Sequence, residues 1–226
     1  MQLSIYSKEK YTLEQQKVIE CDFKDTLVVN AFAGCGKTHT LFGFAQARSS
    51  FKILYLAYNS SIKKEAEHKF KDLPNVEVKT THGLAYSIFG KKYAKRFEEF
   101  GMEIPTKVYA EYCDDVDEDN RYYYAYVLSK LMKDFVYSPY TIDEYIENTI
   151  KEKDIFEEKY KLPLSYFLSK FQFVWEDLLD NDNMPFEHDF YLKQYQLSEP
   201  YLGFYAFILL DEAQDANDCV IDIMKQ

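Results

Sequence analysis

The sequence predicts an α/β fold, a parallel sheet with helices on both faces and a helical insertion. Three observations carry that expectation. Apolar, β-branched runs of strand length alternate with helical segments over roughly the first hundred residues. The alternation then gives way to Tyr-, Lys- and Glu-rich stretches of helical periodicity such as YYYAYVLSKLMKDFV and SYFLSKFQFVWEDLL. A last apolar run, Phe204 to Asp211, returns to strand pattern near the end of the chain.

The elements follow in order. TLEQQKVIE from Thr12 reads as a helix opened by a capping box, with Thr12 at the N-cap and Gln15 three residues on. Thr26 to Phe32 (TLVVNAF) is an apolar run of strand length, followed by a glycine-containing turn and a helical stretch from Lys37 to about Arg48. Lys52 to Tyr58 is a buried-strand pattern, Ser60 to Phe70 a helix, Val76 to Thr80 a short strand and HGLAYSIFG a helix ending at Gly90. The division expected is one sheet-bearing domain over 1–100 and 186–226, with 101–185 as a helical insertion. No internal repeat or low-complexity tail is seen.

At 226 residues, 47% hydrophobic and 29% charged, the chain has the composition of a folded protein rather than a disordered or fibrous one. Its longest apolar run, Phe204 to Leu210, is far shorter than the roughly 20 residues a bilayer requires, and the N-terminus lacks the pattern of a secretory signal. The expectation is a cytoplasmic protein, or a nuclear one in a eukaryote, with no membrane partner. Cys21, Cys35, Cys113 and Cys219 are scattered without a C-x-x-C pair, which suggests reduced thiols and neither a zinc site nor a disulfide framework.

The net charge of −11 weighs mildly against a nucleic-acid partner, although five of the six residues from Asp114 to Asp119 are acidic and concentrate that charge. Lys91, Lys92, Lys95 and Arg96 form the one clear basic cluster, suited to a phosphate-facing patch or to a solvated helix face. The 21 tyrosines and 18 phenylalanines, spread at helical spacing, read mainly as core and groove packing.

The strongest chemical signal is AFAGCGKT, Ala31 to Thr38, between an expected strand and an expected helix. Gly34 and Gly36 let the backbone curl so that N–H groups point at phosphate oxygens, and the helix that follows offers its positive end. Lys37 supplies a point charge to the terminal phosphates, and the Thr38 hydroxyl is the expected Mg2+ ligand. The candidate nucleotide-binding set is Ala31, Phe32, Ala33, Gly34, Cys35, Gly36, Lys37, Thr38 and His39. A generic phosphate loop has glycine where this chain has Ala31, and an ordinary strand-to-helix turn is the competing explanation.

The second signal is FILLDEAQD, Phe207 to Asp215, an apolar strand ending in consecutive carboxylates. A strand end would set them beside the loop's metal. Asp211 would then hold Mg2+, directly or through water, while Glu212, with Lys37 a catalytic candidate, would orient and deprotonate the attacking water. Alone, the pair equally suits a solvated acidic helix start.

Together AFAGCGKT and DEAQD resemble the UvrD/Rep-type superfamily 1 DNA helicases, whose loop commonly begins with Ala. The resemblance implies a P-loop NTPase (RecA-like) fold that uses ATP and Mg2+. YTLEQQKVI resembles the family's adenine-reading Q motif, which makes Gln15 the adenine contact, with Gln16 the alternative and a capping-box glutamine the structural explanation. LAYNSSIKKEAEHKF resembles motif Ia and implies that Tyr58 and Asn59 approach single-stranded DNA, although Tyr58 would also suit a strand-end core position. VKTTHGLAYSI resembles motif Ib and implies backbone contacts from Thr80 and His82, where a cap or a packed side chain is the alternative for His82. Gln214 is implied to couple nucleotide to DNA. HDFYLKQYQLS (His188 to Ser198) is similar to the F-box DNA helicase branch in particular. Cys35 in the loop raises the possibility of oxidation-sensitive nucleotide binding.

The family implies 3'-to-5' translocation on single-stranded DNA driven by ATP hydrolysis, with roles in DNA repair and recombination. Its later segments, including a second RecA-like domain and arginines that reach across the cleft, are not found here. The three arginines Arg48, Arg96 and Arg121 all precede the last strand. The expectation is therefore a truncated or split product, or one piece of a larger polypeptide. A partner chain would carry the second domain, and turnover by this part alone would be very slow. The competing expectation is a remnant that binds nucleotide or DNA without turnover.

Overall fold

The structure is a computed structural model in which residues 6–22 and 25–226 are described. The described residues fall into two compact units, one drawn from Met1–Thr81 and Tyr201–Ala216, the other from His82–Pro200 and Asn217–Gln226.

The first unit holds the sheet. Its elements are α1 (Leu13–Glu20), α2 (Lys37–Ala47), β1 (Ile53–Ala57), α3 (Ser60–Phe70), β2 (Val76–Thr80) and β3 (Phe207–Leu210). The strand order is β2-β1-β3 and both pairings are parallel, with Ala57 opposite Thr80 and Leu56 opposite Leu210. Parallel pairing of neighbouring strands requires a helical crossover, which α3 provides between β1 and β2. Every residue of β1 is buried, as a central strand covered on both faces demands. Ile53, Tyr55 and Ala57 join Phe44 of α2, Ala66 and Phe70 of α3 and Leu209 of β3 in one apolar core. Phe207 packs edge-on against Phe44 at 5.2 Å.

Thr12 caps α1 as its sequence requires: its hydroxyl accepts from the Gln15 N–H, and the Gln15 side chain accepts from the Thr12 N–H. Arg48 is buried, donating to the Ile19 and Cys21 carbonyls at 2.6 and 2.8 Å with its guanidinium over the Phe44 ring.

One expected strand is not formed. Thr26 to Phe32 has no strand structure, and its apolar side chains face outward: Val28 is 74% exposed and Phe32 91%. Apolar β-branched composition specifies a strand only where a neighbour completes its hydrogen bonds, and among the described residues none pairs with this run. The other strands form within their expected ranges: β2 matches its range, and β1 and β3 are trimmed at their ends.

The second unit is helical. After α4 (Thr81–Ile88) come α5 (Ala94–Phe100), α6 (Thr106–Glu111), α7 (Glu118–Tyr137), α8 (Ile142–Lys151), α9 (Lys153–Tyr160), α10 (Leu164–Asp180), α11 (His188–Leu197) and α12 (Asp218–Lys225). The 20-residue α7 is central, packing against α6, α10, α11 and α12. Aromatic rings form its core: Phe135 lies edge-on to Trp175 at 5.1 Å, and Trp175 stacks on Phe190 at 5.5 Å. Arg96 is absent from any basic patch. It is buried, and its guanidinium donates to the carbonyls of Leu178, Leu179, Met184 and Pro185, so its charge serves the end of α10 and the following loop. Among the described residues no helix is long and apolar enough to cross a membrane.

Candidate active site

The loop before α2 is built on two left-handed residues, Gly34 at φ 77° and Gly36 at φ 85°. A side chain is disfavoured at either angle, and at Gly36 a Cβ would also lie 3.0 Å from Gln15 Nε2. Gly36 is the N-cap of α2 and brings no side-chain cap, so the first-turn N–H groups of the helix are left for an anion. Ala31 to Cys35 are exposed, while Lys37, Thr38 and His39 are half-buried.

Parallel pairing of β1 with β3 carries Asp211 to this loop, with the Asp211 N–H bonded to the Leu56 carbonyl at 3.3 Å. Asp211 is buried and receives three donors. The Thr38 hydroxyl and the Tyr55 hydroxyl reach Oδ2 at 3.0 and 2.5 Å, and the Glu212 N–H reaches Oδ1 at 3.0 Å. Glu212 sits at φ 54°, ψ 43°, a left-handed conformation that costs a non-glycine residue about 1–2 kcal/mol and turns its side chain back to the loop. There its Oε2 meets Lys37 Nζ at 3.2 Å and Gln214 Nε2 at 2.6 Å. Hydrogen bonds from Gln214 and then Lys37 hold the Glu212 carboxyl below its ordinary pKa, so it is ionised at neutral pH.

The donor set fits a magnesium ion. Octahedral Mg2+ with oxygens at about 2.0–2.1 Å places adjacent ligands about 3 Å apart. Thr38 Oγ1 and Asp211 Oδ2 stand at that separation, 3.0 Å.

Residues 11–226 match the family described as UvrD/REP helicase N-terminal domain. This chain belongs to that family. It is 27% identical to F-box DNA helicase protein 1 of Schizosaccharomyces pombe over 94% of this chain and 26% of the relative. It is also 27% identical to F-box DNA helicase 1 of Gallus gallus, over 98% of this chain and 23% of the relative. The chain thus spans about a quarter of the length of the curated relatives it matches. No solved structure matches the chain.

In this UvrD/REP domain the remaining candidate residues sit as follows. Gln15 is tied to the loop before α2: Nε2 donates to the Cys35 carbonyl at 3.2 Å while Oε1 completes the capping box. Gln16 donates to the Lys8 and Tyr11 carbonyls. His39 stacks on Tyr11 with ring centroids 4.5 Å apart and planes 18° from parallel. Tyr58, half exposed, directly follows β1 and Thr80 ends the adjacent strand β2, so the C-terminal edge of the sheet carries both of them along with Asp211. Asn59 caps α3, its Oδ1 accepting from the Ser61 and Ile62 N–H groups.

His82 stands in the helical unit of the domain, with Nε2 3.4 Å from Asp189 Oδ1 and its ring edge-on to Tyr191. Burial holds its pKa below the ordinary histidine value, with Asp189 opposing the shift and His188 adding to it.

Sequence reasoning missed Tyr55, which lies in the apolar run of β1 where an aromatic residue reads as core; only the fold puts its hydroxyl on a carboxylate.

Proposed function

We propose that this UvrD/REP domain binds ATP and promotes attack of water on its γ-phosphate, and that in the complete protein the hydrolysis drives 3'-to-5' movement along single-stranded DNA. The observation that carries the reading is the convergence of Lys37 and Thr38 with Asp211 and Glu212, residues more than 170 positions apart in the chain whose side chains lie 3.0–3.2 Å from each other.

In this reading the curled loop from Ala31 to His39 binds the phosphates through backbone N–H groups, and Lys37 leaves Glu212 to meet the terminal phosphate. Glu212, ionised and released by Lys37, orients a water and takes its proton. Bound Mg2+, held by Thr38 and Asp211, would neutralise charge on the phosphate oxygens. Gln15 fixes the loop from behind Gly36 and reads adenine. Gln214 links Glu212 to the DNA groove, while Tyr58, Asn59, Thr80 and His82 meet the strand, Tyr58 by stacking on bases in any sequence. The names of both relatives support DNA as the track.

Turnover by this domain alone is expected to be slow. Arg48 and Arg96 are each held by buried carbonyls, and the Arg121 guanidinium donates to the Asp114 carbonyl at 3.4 Å. A second RecA-like domain would supply the missing cation, and an arginine delivered in trans is worth about 10³–10⁵ in rate in related chemistry.

A second reading, a module that holds nucleotide without turnover, draws on the Lys37–Glu212 pair, which occupies both groups with each other. ATP hydrolysis measured with and without single-stranded DNA, beside a Lys37→Ala control, separates the two. DNA-stimulated hydrolysis abolished in the variant supports the motor reading. Nucleotide binding without stimulation supports the module, and full binding retained by Lys37→Ala overturns both.

A further inference from the structure

Tyr55 is the middle residue of β1, fully buried, and its ring packs 5.0 Å from Phe70. A phenylalanine would fill that core equally well, so packing does not account for the hydroxyl. A buried hydroxyl requires a partner, and here the partner is Asp211 Oδ2 at 2.5 Å.

The three donors on Asp211 differ in what they do when a cation arrives. Thr38 must turn its proton away from Oδ2 to offer that oxygen a shared cation, because a hydroxyl presents a lone pair to a metal. The Glu212 N–H is bonded to the other oxygen, Oδ1. Tyr55 alone among these donors keeps its bond to Oδ2 while Thr38 changes role. Its anchor is stiff, since β1 is paired with strands on both sides and Asp211 is almost closed to water. Such outer-sphere partners orient a carboxylate ligand, and their removal typically lowers metal affinity by about 10–100-fold.

We infer that Tyr55 is a positioning residue for the divalent cation: its hydroxyl fixes the Asp211 carboxylate so that the free lone pair of Oδ2 faces the Thr38 oxygen. The inference rests on the reading of Thr38 and Asp211 as the metal pair.

The test uses Mn2+ as the probe, titrated by electron paramagnetic resonance into this chain with ATP present, for wild type, Tyr55→Phe and Thr38→Ala. Nucleotide affinity in EDTA is measured with a fluorescent ATP analogue, and folding by circular dichroism. Tyr55→Phe is expected to bind Mn2+ about tenfold more weakly, with metal-free nucleotide affinity unchanged. A variant with 4-aminophenylalanine at position 55 returns a donor to the same point on the ring and recovers part of the loss.

That recovery also separates loss of the donor from any disturbance of the core. Unchanged Mn2+ affinity in Tyr55→Phe with a loss in Thr38→Ala overturns the positioning role alone. Unchanged affinity in both overturns the metal reading and the positioning role together.

Discussion

Lys37 Nζ and Glu212 Oε2 face each other at 3.2 Å, with the Gln214 amide 2.6 Å from the same carboxylate oxygen. The cation suited to a terminal phosphate and the carboxylate suited to activating water thus neutralise each other until a stronger anion separates them. Under the proposed function, nucleotide entry would release Glu212 from Lys37 in the same step.

Glu212→Gln removes the anion that competes for Lys37 while keeping a side chain that Gln214 can meet. ATP affinity is expected to hold or to tighten by no more than about fivefold, since a half-exposed ion pair contributes little. Hydrolysis should fall by about 10²–10⁴-fold, the usual worth of a general base. A large loss of ATP affinity in an equilibrium titration would contradict the pairing.

Gly34→Ala and Gly36→Ala separate backbone strain from crowding. Both positions have φ near 80°, so each substitution should destabilise by about 1–2 kcal/mol. Only at Gly36 does the new Cβ meet Gln15 Nε2, at 3.0 Å, whereas nothing lies within 4 Å at Gly34. Gly36→Ala should therefore show the larger drop in melting temperature and in ATP affinity.

Arg96→Met should cost about 2–4 kcal/mol in urea unfolding, because its carbonyl partners lose a buried donor. Lys95→Met, at an exposed neighbouring position, should stay within about 0.5 kcal/mol. Equal effects would return Arg96 to the surface cluster.

Lys193 is fully buried, its ammonium donating to the Ser138 and Tyr140 carbonyls beyond the end of α7. Burial lowers its pKa to about 8. An unfolded lysine titrates near about 10.4, so between those values the unfolded chain binds more protons and stability rises with pH. Below about pH 8 the folded state carries the full cost of the buried charge. Unfolding free energies from pH 7.5 to 10 should climb in wild type relative to Lys193→Met, and parallel curves would refute the shift.

The outward-facing run from Leu27 to Phe32 is an apolar strip without a pairing strand among the described residues. Val28→Lys with Phe32→Ser should leave the melting temperature within a few degrees, as surface substitutions do, and reduce self-association seen by light scattering at high protein concentration.

The sequence was most legible where local chemistry and tertiary context agree. Thr12 and Gln15 form their capping box because both partners lie within one helical turn, and β1 forms from an apolar run that no surface position would tolerate. Gly34 and Gly36 adopt the left-handed angles their spacing suggested. The opposite case is Thr26 to Phe32, whose composition matches β1 but whose hydrogen bonds depend on residues elsewhere. Arg96 shows the same limit: beside Lys91, Lys92 and Lys95 it reads as surface charge, yet carbonyls more than 80 positions away enclose it.

By itself the chain's order of residues determined the glycine turn before α2, the acidic strand end and the family, because each is carried by chemistry within a few adjacent positions. Tertiary structure alone decided that Tyr55 donates to Asp211 and that Lys37 rests on Glu212. Those contacts join residues 156 positions apart in the first case and sit opposite one another in the second only once β3 has paired with β1. Strand pairing, a long-range exchange of backbone hydrogen bonds, is what brings the charges within reach.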